Sequence, residues 1–369
     1  MHISISIQPL FLFTLLLFPS LILGVSLPHV RRSGTQPTVA ADAANLGPVG
    51  METYQRATLL ADGSVLGVYT DYVNGSNIIT TVRSTDAGSS WQSWGTVTEG
   101  VGDIDNPFLL QLSTGRLLCA FRNHSKDSSG AYTYFRITVC YSDDNGVTWT
   151  YLSQPASDPG PVNGNWEPFM RLSSLDSSTV QLFYSRENAS DDQDSLMRTS
   201  TDGGSTWSVA ATISGADITS RDGMVGVTAF PANSGNLIAI FESDDTSTGG
   251  TGLFTVKSVS SSDDGVTWDN RQDIYTPTGT GNNAGAPQIA NVGGTLVASF
   301  MTDEDTSEHA WTSGANVKII TGTDGSTWGD KTTVSPVQSN WGGLTVLNDT
   351  NFLLVASYNG AKSYQISLS

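Results

Sequence analysis

The sequence predicts an all-β fold, a six-bladed propeller of four-stranded antiparallel blades, on three observations. One short phrase recurs as STDAGSSW (84–91), SDDNGVTW (142–149), STDGGSTW (200–207) and SSDDGVTW (261–268), with a shortened GTDGSTW at 322–328. The tryptophans that close the copies, Trp91, Trp149, Trp207, Trp268 and Trp328, lie 58, 58, 61 and 60 residues apart, the period of an array of like units. Each copy also sits between runs of strand-like alternation, such as Phe135-Arg136-Ile137-Thr138-Val139-Cys140-Tyr141.

The chain opens with an apolar run, Leu10 to Leu23, that ends near small residues. Residues 1–24 are therefore read as a signal peptide, although no Lys or Arg precedes the run. Arg31-Arg32 reads as a dibasic cleavage site within a pro-segment over 25–35, leaving a single domain over 36–369. A secreted, extracellular protein is expected, and no other stretch is apolar for long enough to span a bilayer. The formal net charge of −18 repels nucleic acid and anionic membrane surfaces. Sequons at Asn74, Asn123, Asn188 and Asn348 fit a secretory route. Cys119 and Cys140 fall on adjacent predicted strands, so either a cross-strand disulfide or two buried thiols is open. Two cysteines that far apart and four scattered histidines argue against zinc, and no cofactor is expected. A monomer is the default, since no exposed helical pattern calls for a partner.

After a polar segment the strands begin. The first unit runs from Tyr54–Leu59 through the Asp62-Gly63 turn to Val65–Thr70, Ile78–Arg83, the repeated phrase, and a strand from Ser93. Later units begin near Asn106, Glu167, Met224, Pro287 and Gly343, with apolar second strands at Arg116–Phe121, Val180–Tyr184, Leu237–Phe241, Thr295–Phe300 and Phe352–Ser357. Within the repeated phrase, Asp accepts backbone N–H bonds and Gly supplies a positive φ. This reading makes the phrase a turn rather than a metal site. The last unit holds only three strands, so a strand over about 36–46 should complete it and close the ring.

Topology narrows the site. In an up-and-down blade, the start of the inner strand and the end of the second strand share one face of the ring, and the repeated turns lie on the other. That face receives Arg56, Asp105, Asn106, Arg122, Glu167, Arg186, Glu187, Asp222, Glu242, Trp341 and Tyr358. Glutamate is scarce, seven residues against 28 aspartates, so its position is informative. Glu167 opens an inner strand in Asn165-Trp166-Glu167-Pro168-Phe169, and Glu242 ends the second strand of the next blade in Ile240-Phe241-Glu242-Ser243. Two carboxyl groups in a partly apolar pocket suit glycoside hydrolysis, one giving a proton to the leaving oxygen and the other attacking or activating water. They equally suit two ion pairs, because Arg122, Arg186 and Arg221 belong to the same blades. The residues by themselves leave both readings open.

The repeated phrase resembles the Asp-box of sialidases and related propellers, where it is structural. Over about 40–369, including Tyr54-Gln55-Arg56, Trp166-Glu167-Pro168-Phe169 and Phe241-Glu242-Ser243, the chain resembles glycoside hydrolase family 93, fungal exo-arabinanases on a six-bladed propeller. The resemblance implies retaining hydrolysis of linear α-1,5-L-arabinan from the non-reducing end, release of arabinobiose, Glu167 as nucleophile and Glu242 as acid/base. Around that pair, Trp166, Tyr184, Trp341 and Tyr358 are candidates to wall a furanose ring, and Arg56, Asp105, Asn106, Arg122, Arg186 and Asp222 to bind hydroxyls. Each is equally suited to a structural role. A sialidase is the competing enzyme, with Arg56, Arg122, Arg186 and Arg221 available for an arginine triad and Tyr358 for a nucleophile, but Arg56 is not followed by the usual Ile-Pro. A non-catalytic lectin would carry similar residues in every blade, whereas these mouths differ.

Overall fold

Alternation of apolar and polar residues makes every regular element a strand among the described residues of the computed structural model. Those residues are 36–369 without 49, 51, 162–163, 246–251 and 308; the expected signal peptide (1–24) and pro-segment (25–35) lie outside them. The first sheet is Thr53–Leu59, Val65–Val73, Ser76–Ser84 and Gln92–Gly100, and the second is Asp103–Gln111, Leu117–Lys126, Tyr132–Ser142 and Thr150–Pro159. A later four-stranded sheet is Ala284–Val292, Thr295–Thr302, Asn316–Gly322 and Trp328–Ser335. The last sheet is Asn340–Val346, Asn351–Ser357 and Ala361–Leu368, completed on its outer side by Pro37–Val39 and Ala44–Asn45. The expected closing strand is thus two short pieces, in register at Pro37 with Leu368 and at Ala44 with Ser363.

Hydrogen bonding does not separate six blades. Four sheets are single blades, and one sheet has eight strands, beginning with Asn165–Leu172 and ending with Asp269–Tyr275. Its halves, residues 165–214 and 221–275, are each antiparallel inside and meet through one parallel bridge, Gln193 with Arg221. That bridge fuses two would-be neighbours near their mouth-side ends.

Packing explains why second strands are apolar on both faces. Leu66 and Ile79 pack with Leu117 and Phe121, Leu118 and Val139 with Leu182 and Tyr184, and Phe183 and Met197 with Val227 and Phe241. The series continues with Ile240 and Val256 against Leu296 and Phe300, then Val297 and Ile319 against Phe352 and Leu354. Finally Tyr69 and Val82 pack with Leu46, Val355 and Ala361, which joins the last sheet to the first. Each cluster straddles consecutive four-strand groups, so the core follows a closed circuit.

The repeated phrase is the joint between groups. In the copy at 142–149, Ser142 Oγ donates to Asp144 at 2.7 Å and accepts from Gly146 N at 2.9 Å, and Asp144 accepts from Thr148 N at 2.9 Å. Asn145 and Gly146 take φ of 57° and 88°. A Cβ on Gly146 would lie 2.8 Å from Leu66, and one on Gly204 3.2 Å from Leu118, each a side chain of the preceding group. Cys119 and Cys140 face one another across adjacent strands as free, buried thiols.

Candidate active site

Each inner strand breaks register near its start, between Thr53 and Arg56, Asp105 and Phe108, Trp166 and Phe169, Gly223 and Gly226, Gly285 and Gln288, and Asn340 and Gly343. Inside each break one residue is left-handed: Tyr54 (φ 51°), Asn106 (52°), Glu167 (44°), Met224 (52°), Ala286 (48°) and Trp341 (59°). None is glycine, so each costs about 1–3 kcal/mol of local strain held by its surroundings. Pro107, Pro168 and Pro287 follow three of them, where an innermost strand at a bulge needs no ladder donor. The bulges bring three of these side chains, Asn106, Glu167 and Met224, to one gap. Arg56, Asn106, Glu167, Met224 and Gln288 line one narrow axial gap, and Tyr54 stacks on Trp341 at 4.6 Å.

Beside that gap lies a cavity of about 230 Å³ lined by Arg122, Trp166, Glu167, Glu187, Gln193, Arg221, Glu242 and Phe254. Glu167 comes from an inner strand in one half of the eight-stranded sheet, Glu242 from the second strand in the other half. Oε2 of Glu167 is shut off from solvent and makes no hydrogen bond. Burial, and after it the charge of Glu242, push the Glu167 carboxyl up to about 7 against the pull of Arg122, the Ser185 hydroxyl and the Met224 N–H. Burial also raises Glu242, opposed by the Ala286 N–H, which donates to its Oε2 at 2.6 Å, and by Arg221. Two buried carboxyls that interact in this way keep one proton between them near neutrality. Both carboxyls are raised, so these environments do not by themselves make Glu242 the acid.

Arg122 is fixed from behind. It donates to Asp103 at 2.9 Å and Asp105 at 3.1 Å, and its guanidinium lies 5.4 Å from both the Tyr54 and the Trp166 ring. Arg221 donates to Glu187 at 2.9 Å and to Gln193 at 3.1 Å. Arg56 is buried without a carboxylate partner and donates to the carbonyls of Gln55 (2.7 Å) and Trp341 (3.0 Å); burial pulls it down to about 10. The described residues hold no group of three side chains suited to a metal ion.

The structure therefore brings Glu167, Glu242, Arg122 and Trp166 to one cavity, with Arg56, Asp105, Asn106 and Trp341 around it. Four candidates lie elsewhere. Tyr184 is buried in the core, its hydroxyl accepts from Arg198 at 3.2 Å, and with Arg186 it lines a separate cleft. Arg186 itself donates to Asp158 at 3.1 Å. Asp222 is wholly buried and held by both nitrogens of Arg271, at 2.5 and 2.8 Å. Tyr358 lines neither the cavity nor the axial gap; its N–H donates to the Gly360 carbonyl at 2.8 Å in a turn. Phe254 and Gln193 carried no sequence signal for the site. A larger cavity of about 530 Å³, lined by Thr38, Leu59, Asn348 and Phe352 among others, has no titratable side chain in its wall.

A BNR repeat-like domain family matches residues 65–220. Among solved structures, Penicillium chrysogenum α-L-arabinanase complexed with arabinobiose is similar at a TM-score of 0.68 and 19% identity, over 90% of this chain and 98% of the other. The family 93 α-L-arabinofuranosidase of Fusarium graminearum, also with arabinobiose, is similar at 0.66 and 19%, over 91% and 98%. A leech intramolecular trans-sialidase is similar at 0.57 and 13%, over 89% and 70%. A search of curated proteins by sequence gives no match. The fold is thus an all-β, sialidase-like propeller of four-stranded antiparallel blades.

Proposed function

We propose that this protein is a secreted, retaining glycoside hydrolase that cleaves linear α-1,5-L-arabinan from the non-reducing end and releases arabinobiose. The carrying observation is that Glu167 and Glu242, from neighbouring strand groups, line one sugar-sized cavity with both carboxyls raised by burial. We read the two halves of the eight-stranded sheet as separate blades, which gives a six-bladed ring, in keeping with six left-handed bulge residues. The arabinobiose carried by two solved structures of the same fold supports the choice of sugar.

In this reading Glu167 attacks the anomeric carbon while Glu242 protonates the leaving oxygen; Glu242 then takes a proton from the water that opens the arabinosyl ester. Retention asks for carboxyl groups about 5–5.5 Å apart. The cavity suits a neutral sugar better than a sialic acid. Arg122 and Arg221 already answer to Asp103, Asp105 and Glu187, and Arg186 lies in another cleft, so no trio of unpaired arginines awaits a substrate carboxylate. Debranched arabinan and a sialic acid glycoside, incubated in parallel with product identification, test the proposal. Arabinobiose of retained configuration is expected; release of sialic acid, or intact arabinan, would overturn it.

A further inference from the structure

The cavity lining carries two aromatic rings, Trp166 and Phe254, along with the two carboxyls. Trp166 directly precedes Glu167, and Phe254 is the other ring in the lining that holds Glu242. Phe254 does not stand alone: its ring stacks on Trp311 at 6.1 Å and 26°. Trp311 also reaches Glu242. A Cβ on Gly285 would lie 2.3 Å from Glu242 Oε2 and 3.1 Å from the six-membered ring of Trp311, so carboxyl and indole border the same space left open by glycine.

Both rings are held by backbone. Phe254 N donates to Asn283 Oδ1 at 3.0 Å, and its carbonyl accepts from Ala284 N at 2.8 Å. The segment bearing Trp311 is tied by Gly314 N to the Ala310 carbonyl (2.7 Å) and by Asn340 Nδ2 to the Thr312 carbonyl (2.7 Å). Neither ring is wholly buried. A pre-set, half-open aromatic pair beside a carboxyl presents an apolar face to the C–H side of a sugar at little ordering cost.

We propose that Phe254 and Trp311 form the subsite for the leaving-group sugar, the arabinose on the far side of the scissile bond from the ring held at Trp166. The inference rests on the reading above, in which Glu242 protonates the leaving oxygen: the group that receives that proton sits next to Glu242, and the wall next to Glu242 is this pair. The pair is specificity-determining, since it selects a sugar as leaving group and takes no part in proton or electron transfer.

Phe254→Ala and Trp311→Leu, each beside the wild type, test it with two substrates: a linear arabino-oligosaccharide and an activated nitrophenyl arabinobioside, whose leaving group needs no acid and no sugar subsite. A loss in kcat/KM of about tenfold or more on the oligosaccharide, with the nitrophenyl substrate changed less than about twofold, is expected. Equal losses on both substrates would mean a structural role and overturn the proposal, as would no loss on either. Phe254→Ala carries the test if Trp311→Leu does not fold, because Trp311 packs against a core cluster and Phe254 belongs to none. A wild type inactive on both substrates would instead remove the parent reading.

Discussion

Glu167 and Glu242 make the pH profile a test of the pair rather than of either residue. With one proton shared, the second ionisation falls where Glu167 is pushed, about 7, and above it no proton remains for the leaving oxygen. kcat/KM is therefore expected to fall as pH rises through about 7, whichever glutamate is the acid; an activity flat to pH 9 would contradict the coupling. The same shift bears on stability. A carboxyl whose folded value lies above its unfolded one favours the fold at low pH and loses that contribution as pH rises toward its folded value. Glu167→Gln should then be inactive yet melt higher than wild type above pH 7, with the gap closing toward pH 4; thermal unfolding across pH reads it. Glu242→Gln should lose about 10²–10⁴-fold in rate on arabinan while retaining arabinobiose, measured by calorimetry. Three of the misplaced candidates, Tyr184, Arg186 and Asp222, stand on the wrong face of a strand. Successive side chains alternate faces, so on Val180–Ala189 the face of Tyr184 and Arg186 is opposite that of Glu187, and it is Glu187 that lines the cavity. Asp222 stands one residue from Arg221, with the same outcome. Composition marked the strands, but a one-residue phase decides which side chain faces the substrate.

Two short elements, the repeated turn and the inner-strand bulge, differ in how much of them the sequence discloses. The turn is written in local chemistry, Asp for orphan N–H groups and Gly for positive φ, and so it was readable down to the residue. It even accounts for its own absence from the last sheet: there the outer strands arrive from 37–39 and 44–45, so no hairpin stands where a copy would fall. The bulge residues are Tyr54, Asn106, Glu167, Met224, Ala286 and Trp341, six side chains with no common chemistry. Their left-handed backbone follows no residue type and so leaves no pattern to find. Phe254 and Trp311 lie outside the strands and escape alternation altogether. The turns carry a stability prediction. Hydroxyl and N–H donors hold Asp144, Asp202 and Asp263 down to about 2. Their contribution is present above the unfolded carboxylate range, near 4, and is lost as pH falls from there toward 2. Gly146→Ala strains φ of 88° and drives a methyl against Leu66, and should cost about 1–3 kcal/mol in denaturant unfolding with kcat unchanged. A silent substitution would show that the joint between sheets yields.

Closure is the property on which the ring as a body depends, and its outer edge rests on very little chain. Pro37–Val39 and Ala44–Asn45 supply the only outer pairing of Ala361–Leu368 among the described residues, and Leu46 enters the one cluster that joins last sheet to first. Without them Ala361–Leu368 becomes an open edge, able to pair with another molecule. Two variants separate edge from core. Leu46→Ala keeps the strands and hollows the seam, and should lower stability by about 2–5 kcal/mol without changing the oligomeric state. Val39→Asp, on the short outer strand, should instead weaken pairing with Ile366 and reveal concentration-dependent association by size-exclusion chromatography. In both, Glu167 and Glu242 stand in the eight-stranded sheet, away from the seam, so the turnover per folded molecule should match wild type. If both variants melt and elute as wild type does, the circuit of packed clusters is not what holds the sheets together, and each sheet must be stable on its own neighbours alone.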